Sequence, residues 1–411
     1  MPTADEPGPD ALRRKLVAAI DDWRAELFAP VDPAVRAAML TIPREVFVPG
    51  IPLADAYDEH SAVVTKRDAH GIAISSVSAP SIVAMMLTQL DVRPGHRVLE
   101  IGSGGYNAAL LRELVGPDGR VTSADVDPDV VERARRCLAA IGCTDVEVVQ
   151  ADGEFGVPDG APYDRIVVTV EAADTPPAWV AQLVDGGRLV VPLRLCGLTR
   201  SVAFDRVGRT LVSRGYELCG FVRMRGAGER RELRVSLDGD DVYLVLDDGQ
   251  HADAAALRTA LRRPRVERPT GVVVGPEEPY VEHLDLWLAT TLRGFCLLTA
   301  SERAVERGLA YPTWAGGGTP AITRGGTFAY RSWRRQAAGG AELSVLAHGP
   351  DAAELAEEFA EPHRVWGRDR RTAPPARIVV HPAGTPDAEL PAGFVLDRPH
   401  TRTVISWPDA G

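Results

Sequence analysis

The fold turns on one stretch, VLEIGSGGYNAALLREL, running from Val98 to Leu114. It reads as a short apolar strand, a glycine turn and a helix. Gly102, Gly104 and Gly105 let the backbone turn sharply and approach a ligand, and the helix that follows offers free amides and the positive end of its dipole. The glycines run G-S-G-G, which departs from the dinucleotide fingerprint G-x-G-x-x-G. Taken alone, the stretch is either a nucleotide-binding turn or a structural strand–helix corner.

Working outward, the alternation repeats. GRVTSADVD (119–127) is a second apolar run, and DPDVVERARRCLAAIG (127–142) a helix with acid and proline at its start and glycine at its end. VEVVQADG (146–153) reads as a third strand, and YDRIVVTVEA (163–172) as a fourth, apolar enough for burial on both faces. PPAWVAQLVDGG (176–187) reads as a helix closing on glycines, and GRLVVPL (187–193) as a fifth strand. Such spacing predicts a doubly wound α/β domain around a mainly parallel sheet.

Upstream, residues 11–40 carry a helical rhythm that ends in TIPREVFVPG (41–50), where Pro43 and Pro49 stop helices. AYDEHSAVVTKRDAHG (56–71) reads as polar and irregular. SSVSAPSIVAMMLTQL (75–90) predicts a helix starting at Ser78-Ala79-Pro80, with Ile82, Val83, Met86 and Leu87 on one face. Past Arg225 the texture changes to paired-strand alternation, two helical patterns and further strands, which predicts a separate α+β domain. The expected division is 1–75 for an N-terminal helical and lid segment, 76–225 for the α/β domain and 226–411 for the C-terminal domain.

Composition narrows the function. The chain has 411 residues, 45% of them apolar, enough for a large core in two or more domains. A net charge of −11 argues against a general nucleic-acid binder. Five scattered cysteines without a C-x-x-C pair suit buried thiols in a reducing compartment and predict no metal site. No apolar run approaches the ~20 residues that cross a bilayer, and the expectation is a soluble, cytoplasmic protein without a membrane partner.

Four features fall at the carboxyl ends of successive strands, where a doubly wound fold places ligands. After the glycine turn comes Asp125, about twenty residues on, which can accept the ribose hydroxyls of a nucleoside. The competing reading, a helix N-terminal acid, suits Asp127 and Asp129 better. Asp152-Gly153 can meet an adenine amino group or form a surface turn. Glu171 closes the fourth strand, as polar residues often do. No Lys with Ser/Thr phosphate cradle is present, so a ligand with ribose and adenine but no phosphate fits best, and S-adenosylmethionine is such a ligand.

These residues also carry a resemblance. E-I-G-S-G-G-Y-N-A-A-L-L, with S-V-S-A-P and I-P-R-E-V-F-V-P before it and A-D-G, Y-D-R-I-V-V-T and D-G-G-R-L-V-V-P-L after it, resembles protein-L-isoaspartate O-methyltransferase over roughly residues 35–200. The resemblance implies a Class I, Rossmann-like methyltransferase fold and methyl transfer from S-adenosylmethionine to a carboxylate. It implies cofactor contacts at Glu100, Gly102, Ser103, Gly104, Tyr106, Asn107, Asp125, Val126, Asp152, Gly153 and Glu171. Relatives have G-x-G-x-G-Y, so the turn here is one residue shorter.

Ser78 matches the family serine between methyl donor and acceptor, and the resemblance implies that it orients the substrate carboxylate; it could equally cap the helix. Ser75, Ser76 and Val77 are the neighbouring substrate-side candidates. His60 and Arg223 join them, although both also read as solvated surface groups. T-K-R-D-A-H-G, R-L-C-G-L-T-R-S-V-A-F, C-G-F-V-R-M-R-G and H-L-D-L-W-L-A are similar to a narrower branch, the "FxLD system" and related enzymes of lanthipeptides, lasso peptides and graspetides. That branch implies methylation of an aspartate in a ribosomally made peptide, followed by closure to an aspartimide, with the C-terminal domain recognising the peptide. A general isoaspartate repair enzyme and a non-catalytic peptide binder are the alternatives.

Overall fold

The computed structural model describes residues 7–275, 278, 281–315, 317–335 and 340–408. The stretch that opened the sequence forms the strand Arg97–Ile101 and the helix Tyr106–Val115. This strand lies between Tyr163–Val168 and Arg120–Asp125, and all pair in parallel. Glu147–Gln150 and Leu183–Leu195 extend the parallel set on either side. The doubly wound core is therefore five strands wide, with Val98, Leu99, Ile166, Val167, Val190 and Val191 all buried.

Upstream, the helical rhythm divides into Pro9–Leu27 and Pro33–Thr41, because Pro30 and Pro33 interrupt it. The expected irregular stretch is instead a β-hairpin, Val63–Arg67 against Ala73–Val77. Its β-branched residues, Val63, Val64, Thr65, Ile74 and Val77, are interrupted by the charged and polar residues between them, which hid the strand pattern. Pro80–Leu90 is the expected helix, with Pro80 in its first turn. The helix expected across 176–187 is shorter, Pro177–Gln182, and Leu183 already begins a strand.

Beyond the parallel core, the sheet continues antiparallel through Leu198–Val207 and Thr210–Leu218. It then takes in Arg377–Pro382, Thr401–Ser406 and Phe394–Asp397, completing ten strands. The expected division at residue 226 is corrected here. The last strands belong to the first sheet, because Val379 and Val380 pair with Val212 and Leu211. Between these two visits the chain builds a second, seven-stranded antiparallel sheet from Leu233–Asp238 to Ala341–His348.

The two sheets share their burial. One apolar cluster runs from Leu99, Trp179 and Val191 through Leu284, Leu288 and Phe359 to Ile378 and Ile405. Helices Val281–Thr291 and Ala352–Val365 contribute to it from the second domain. A second cluster packs the N-terminal helices on the opposite face of the parallel strands. Among the described residues no helix is long and apolar enough to cross a membrane.

Candidate active site

The glycine turn is built by contact. Gly102 has φ +98°, and a Cβ there would stand 2.5 Å from the Thr169 hydroxyl, which donates to the Gly102 carbonyl at 2.6 Å. Gly105 has φ +83° and precedes Tyr106 directly as the helix N-cap; a Cβ there would press on the Phe47 ring at 3.0 Å. Two left-handed residues thus close the shortened turn, a conformation that only glycine adopts without strain. Gly153 is likewise required by packing, since a Cβ would meet Ile101 at 2.5 Å.

Asp125 ends the second strand, where its carboxylate accepts the amides of Ser103 (3.1 Å) and Asp127 (2.9 Å). Burial raises its carboxyl above the ordinary range, against those hydrogen bonds. Val126 beside it offers its carbonyl to Gln150 at 3.4 Å. Two long cations converge on the adjacent Asp127. Lys66, from the hairpin, reaches both its oxygens at 2.8 Å, and Arg225 reaches it at 3.2 Å and Asp125 at 3.8 Å. Burial pushes the Asp127 carboxyl up, but these partners and the Asp129 amide bring it below the usual range.

Two of the expected carboxylates are differently employed. Asp152 accepts the amides of Glu154 (3.0 Å) and Ala227 (2.8 Å), so it ties the strand end to the segment 221–228 crossing above it. Glu171 accepts the Thr199 hydroxyl, and its backbone pairs with Val222 and Met224. The crossing segment thus meets both strand ends, through the Asp152 carboxylate and the Glu171 backbone, while the Glu171 carboxylate is engaged by Thr199.

Beneath the turn lies a fully buried carboxylate. Glu100 takes hydrogen bonds from Ser123 and from Asn107 (2.9 Å), and Ser123 also meets Ser103 at 2.8 Å. Burial pushes the Glu100 carboxyl up to about 7, with the Asp125 charge adding to the rise. Glu100, Gly104, Asn107, Tyr106, Thr169 and Ser78 line one small cavity. Tyr106 is buried under the Arg44 guanidinium, 5.0 Å from its ring centroid.

Ser78 stands at the boundary of that cavity. The cap of helix Pro80–Leu90 is Ala79, with no side-chain hydrogen bond, so Ser78 does not cap it. Its carbonyl is gripped by buried Arg44 at 2.9 Å, while its hydroxyl has no hydrogen-bond partner among the described residues. Ser76, Ser78 and Phe221 line both the small cavity and a groove of about 1780 Å³. His60 and Arg223 lie along the groove; His60 stands edge-on to Trp23 at 5.1 Å, and Arg223 pairs with Glu232 at 2.8 Å.

Two substrate-side expectations are corrected. Ser75 is buried and accepts from Thr65 across the hairpin at 3.0 Å, so its side chain points away from the groove. Alternation along a strand puts neighbours on opposite faces, which separates Ser75 from Ser76. Val77 is buried against the inner cavity rather than the groove. Sequence reasoning missed Arg44, Lys66, Thr169, Phe221 and Trp314. Lys66 and Arg44 sat in quoted motifs without a role, and Trp314 carried no signal because it arrives from the second domain.

A doubly wound parallel sheet, a glycine turn onto a helix and an acid at the next strand end define a Rossmann-like methyltransferase. Residues 20–227 match the profile of the protein-L-isoaspartate(D-aspartate) O-methyltransferase family, and the chain belongs to that family of S-adenosylmethionine-dependent carboxyl methyltransferases. The protein-L-isoaspartate O-methyltransferase of Ignicoccus hospitalis is 41% identical over 160 residues, 39% of this chain and 72% of that protein. The same enzyme of Methanothrix thermoacetophila is 43% identical over 164 residues, 40% of this chain and 75% of its own. A solved protein-L-isoaspartate O-methyltransferase structure superposes with a TM-score of 0.48 and 23% identity, covering 85% of this chain and 92% of that one. The family match ends at residue 227, before the second sheet begins.

Proposed function

We propose that the chain methyl-esterifies an aspartate side chain in a ribosomally made peptide that lies in the groove. One observation carries the reading: Ser78, whose hydroxyl has no hydrogen-bond partner among the described residues, lines both the Glu100–Asn107 cavity and the groove. A wall shared by the two spaces is where a donor and an acceptor would meet.

The residues present fit S-adenosylmethionine. Gly102 and Gly105 form a turn that side chains would fill, and Asp125 stands at the following strand end. Glu100, Ser103, Gly104, Asn107, Asp125 and Val126 would hold it, with Tyr106 and Gly153 shaping the walls. When bound, it supplies a methyl group on a cationic sulfonium. Ser78 would orient the acceptor carboxylate, with Ser76 and His60 beside it. An aspartate is already ionised at pH 7, with a reference pKa of about 3.9, so no strong base is required. Rate enhancement would come from alignment and from excluding water.

The ester can then react further. Attack by the amide nitrogen of the next residue on the ester carbonyl forms the aspartimide and releases methanol. This step needs no further enzyme group and is easiest when the next residue is glycine.

Broad repair of isoaspartate is the second reading, favoured by the curated relatives' own activity. The 1780 Å³ groove walled partly by the second domain speaks for a dedicated peptide. The test is to offer the full chain an isoaspartyl peptide and a constrained aspartyl peptide with labelled S-adenosylmethionine. Ester on the aspartyl peptide supports the proposal; efficient labelling of the isoaspartyl peptide alone overturns it. Calorimetric binding of S-adenosylhomocysteine excludes a non-catalytic role for the cleft when turnover accompanies it.

A further inference from the structure

The groove is too large for a small acceptor. Small-molecule pockets occupy roughly 300–1,000 Å³, whereas this one reaches about 1780 Å³. Its walls come from three parts of the chain: helix and hairpin residues such as Trp23 and Ile72, the crossing segment with Phe221 and Arg223 and its continuation through Arg230 and Arg231, and the second domain with Trp314. Several of its apolar side chains face solvent. Ile72 is 62% exposed, Trp314 65% and Leu218 41%.

Among the described residues the groove is lined by five arginines and five carboxylates, which are unequally engaged. Three of the acids are ion-paired within the protein. Glu217 is held by Arg24 at 3.0 Å, Glu232 by Arg223 and Arg234, and Glu278 by Arg371. Asp68 accepts the amides of His70 and Ile72 in the hairpin turn. Arg230 and Arg231 are exposed and make no ion pair or hydrogen bond among the described residues, and Glu229 is the acid left beside them. In a protein of net charge −11, Arg230 and Arg231 are an adjacent, exposed and unpaired cationic pair on the groove wall. Such a pair selects and steers an anionic ligand more than it adds raw affinity.

We infer that Arg230, Arg231 and Trp314 are specificity determinants, and that the groove takes an extended acidic peptide. An acidic flank of the acceptor aspartate would lie against the two arginines and an apolar or aromatic residue against Trp314. The inference rests on the proposed peptide methylation and goes beyond it by fixing the chemistry of the flanks. The family match ends at residue 227, so these three residues belong to what distinguishes this chain from its shorter relatives.

The probes are two synthetic 12-residue peptides sharing a central Asp-Gly acceptor, one with glutamates in its flanks and one with glutamines, each with a single tryptophan. Affinity is measured on the full chain with S-adenosylhomocysteine present, and methyl transfer with labelled S-adenosylmethionine. The glutamate peptide should bind about tenfold more tightly at low salt, and the gap should close as salt screens the exposed arginines. Arg230→Glu with Arg231→Glu should reverse the preference, and Arg230→Gln with Arg231→Gln should abolish it. Trp314→Ala should weaken both peptides alike. Cofactor affinity, which should stay unchanged in every variant, reports that each is folded. Equal affinity for the two peptides, or a preference that survives both arginine pairs, overturns the inference. If both peptides are methylated alike, peptide methylation stands and the flank specificity falls. If neither is bound or methylated, both fall.

Discussion

At the residue scale, Ser78 and Glu100 are the two side chains whose surroundings say most about chemistry. Ser78 has its carbonyl held by Arg44 and its hydroxyl free of local duty. Replacing Ser78 with Ala should therefore cost no helix cap, and its effect should fall on turnover. A loss of roughly tenfold to a hundredfold in kcat is expected, the size produced by misplacing a reacting group, with cofactor Kd nearly unchanged. Steady-state kinetics beside calorimetry will show it; an unchanged kcat would remove Ser78 from the reaction. Glu100 is fully buried, and its carboxyl titrates near 7. From its ordinary 4.5 up to about 7 the folded protein holds this proton more tightly than the unfolded chain does. Stability should accordingly fall as pH rises through that window, by on the order of 3 kcal/mol, and stay low above it. Urea titrations of Glu100→Gln should show that slope flattened. A sulfonium favours the ionised form of a neighbouring carboxylate, so binding S-adenosylmethionine at pH 6.5 should release a proton to buffer.

At the element scale, the hairpin and the segment 221–228 act together. Lys66 from the one and Arg225 from the other meet on Asp127, beside the Asp125 carboxylate. This clasp is partly exposed, so salt should loosen it. Lys66→Ala and Arg225→Ala should each speed release of S-adenosylhomocysteine several-fold, read by rapid chase with unlabelled ligand, and the salt dependence of that rate should shrink in the double variant. Rates indistinguishable from the parent protein would mean that the ion pairs are ornamental. The glycine turn belongs to the same scale. Gly105, at a positive φ of 83°, places Tyr106 at the head of the helix.

At the scale of the whole molecule, the second domain is not an appendage. One apolar cluster spans both sheets, and the chain returns after residue 376 to add three strands to the first. Ion pairs and hydrogen bonds at the return stitch the parts together, with Arg398 on Asp247 at 2.8 Å and His400 on Glu154 at 2.8 Å. Ile378 is wholly buried in the shared cluster. Ile378→Ala should cost about 2–5 kcal/mol and lower the melting of both domains in a single calorimetric transition. Two separated transitions would contradict a common core.

What the sequence by itself determined was everything carried by local period and spacing. The alternation of buried strands and helices from Arg97 to Leu193 specified the parallel core, because each strand there must bury both faces. Gly102 and Gly105 were legible because a turn of that tightness excludes a side chain. Asp125 was legible through its distance from the turn. Only the tertiary structure decided what meets the other carboxylates, since Asp152 accepts the Ala227 amide, 75 residues later, and Glu171 the Thr199 hydroxyl, 28 residues later. It alone separated Ser76 from Ser75, by placing them on opposite faces of the strand Ala73–Val77, with Ser78 just past its end. It also brought Trp314 and the closing strands to the catalytic domain, contacts between distant residues that no local period records.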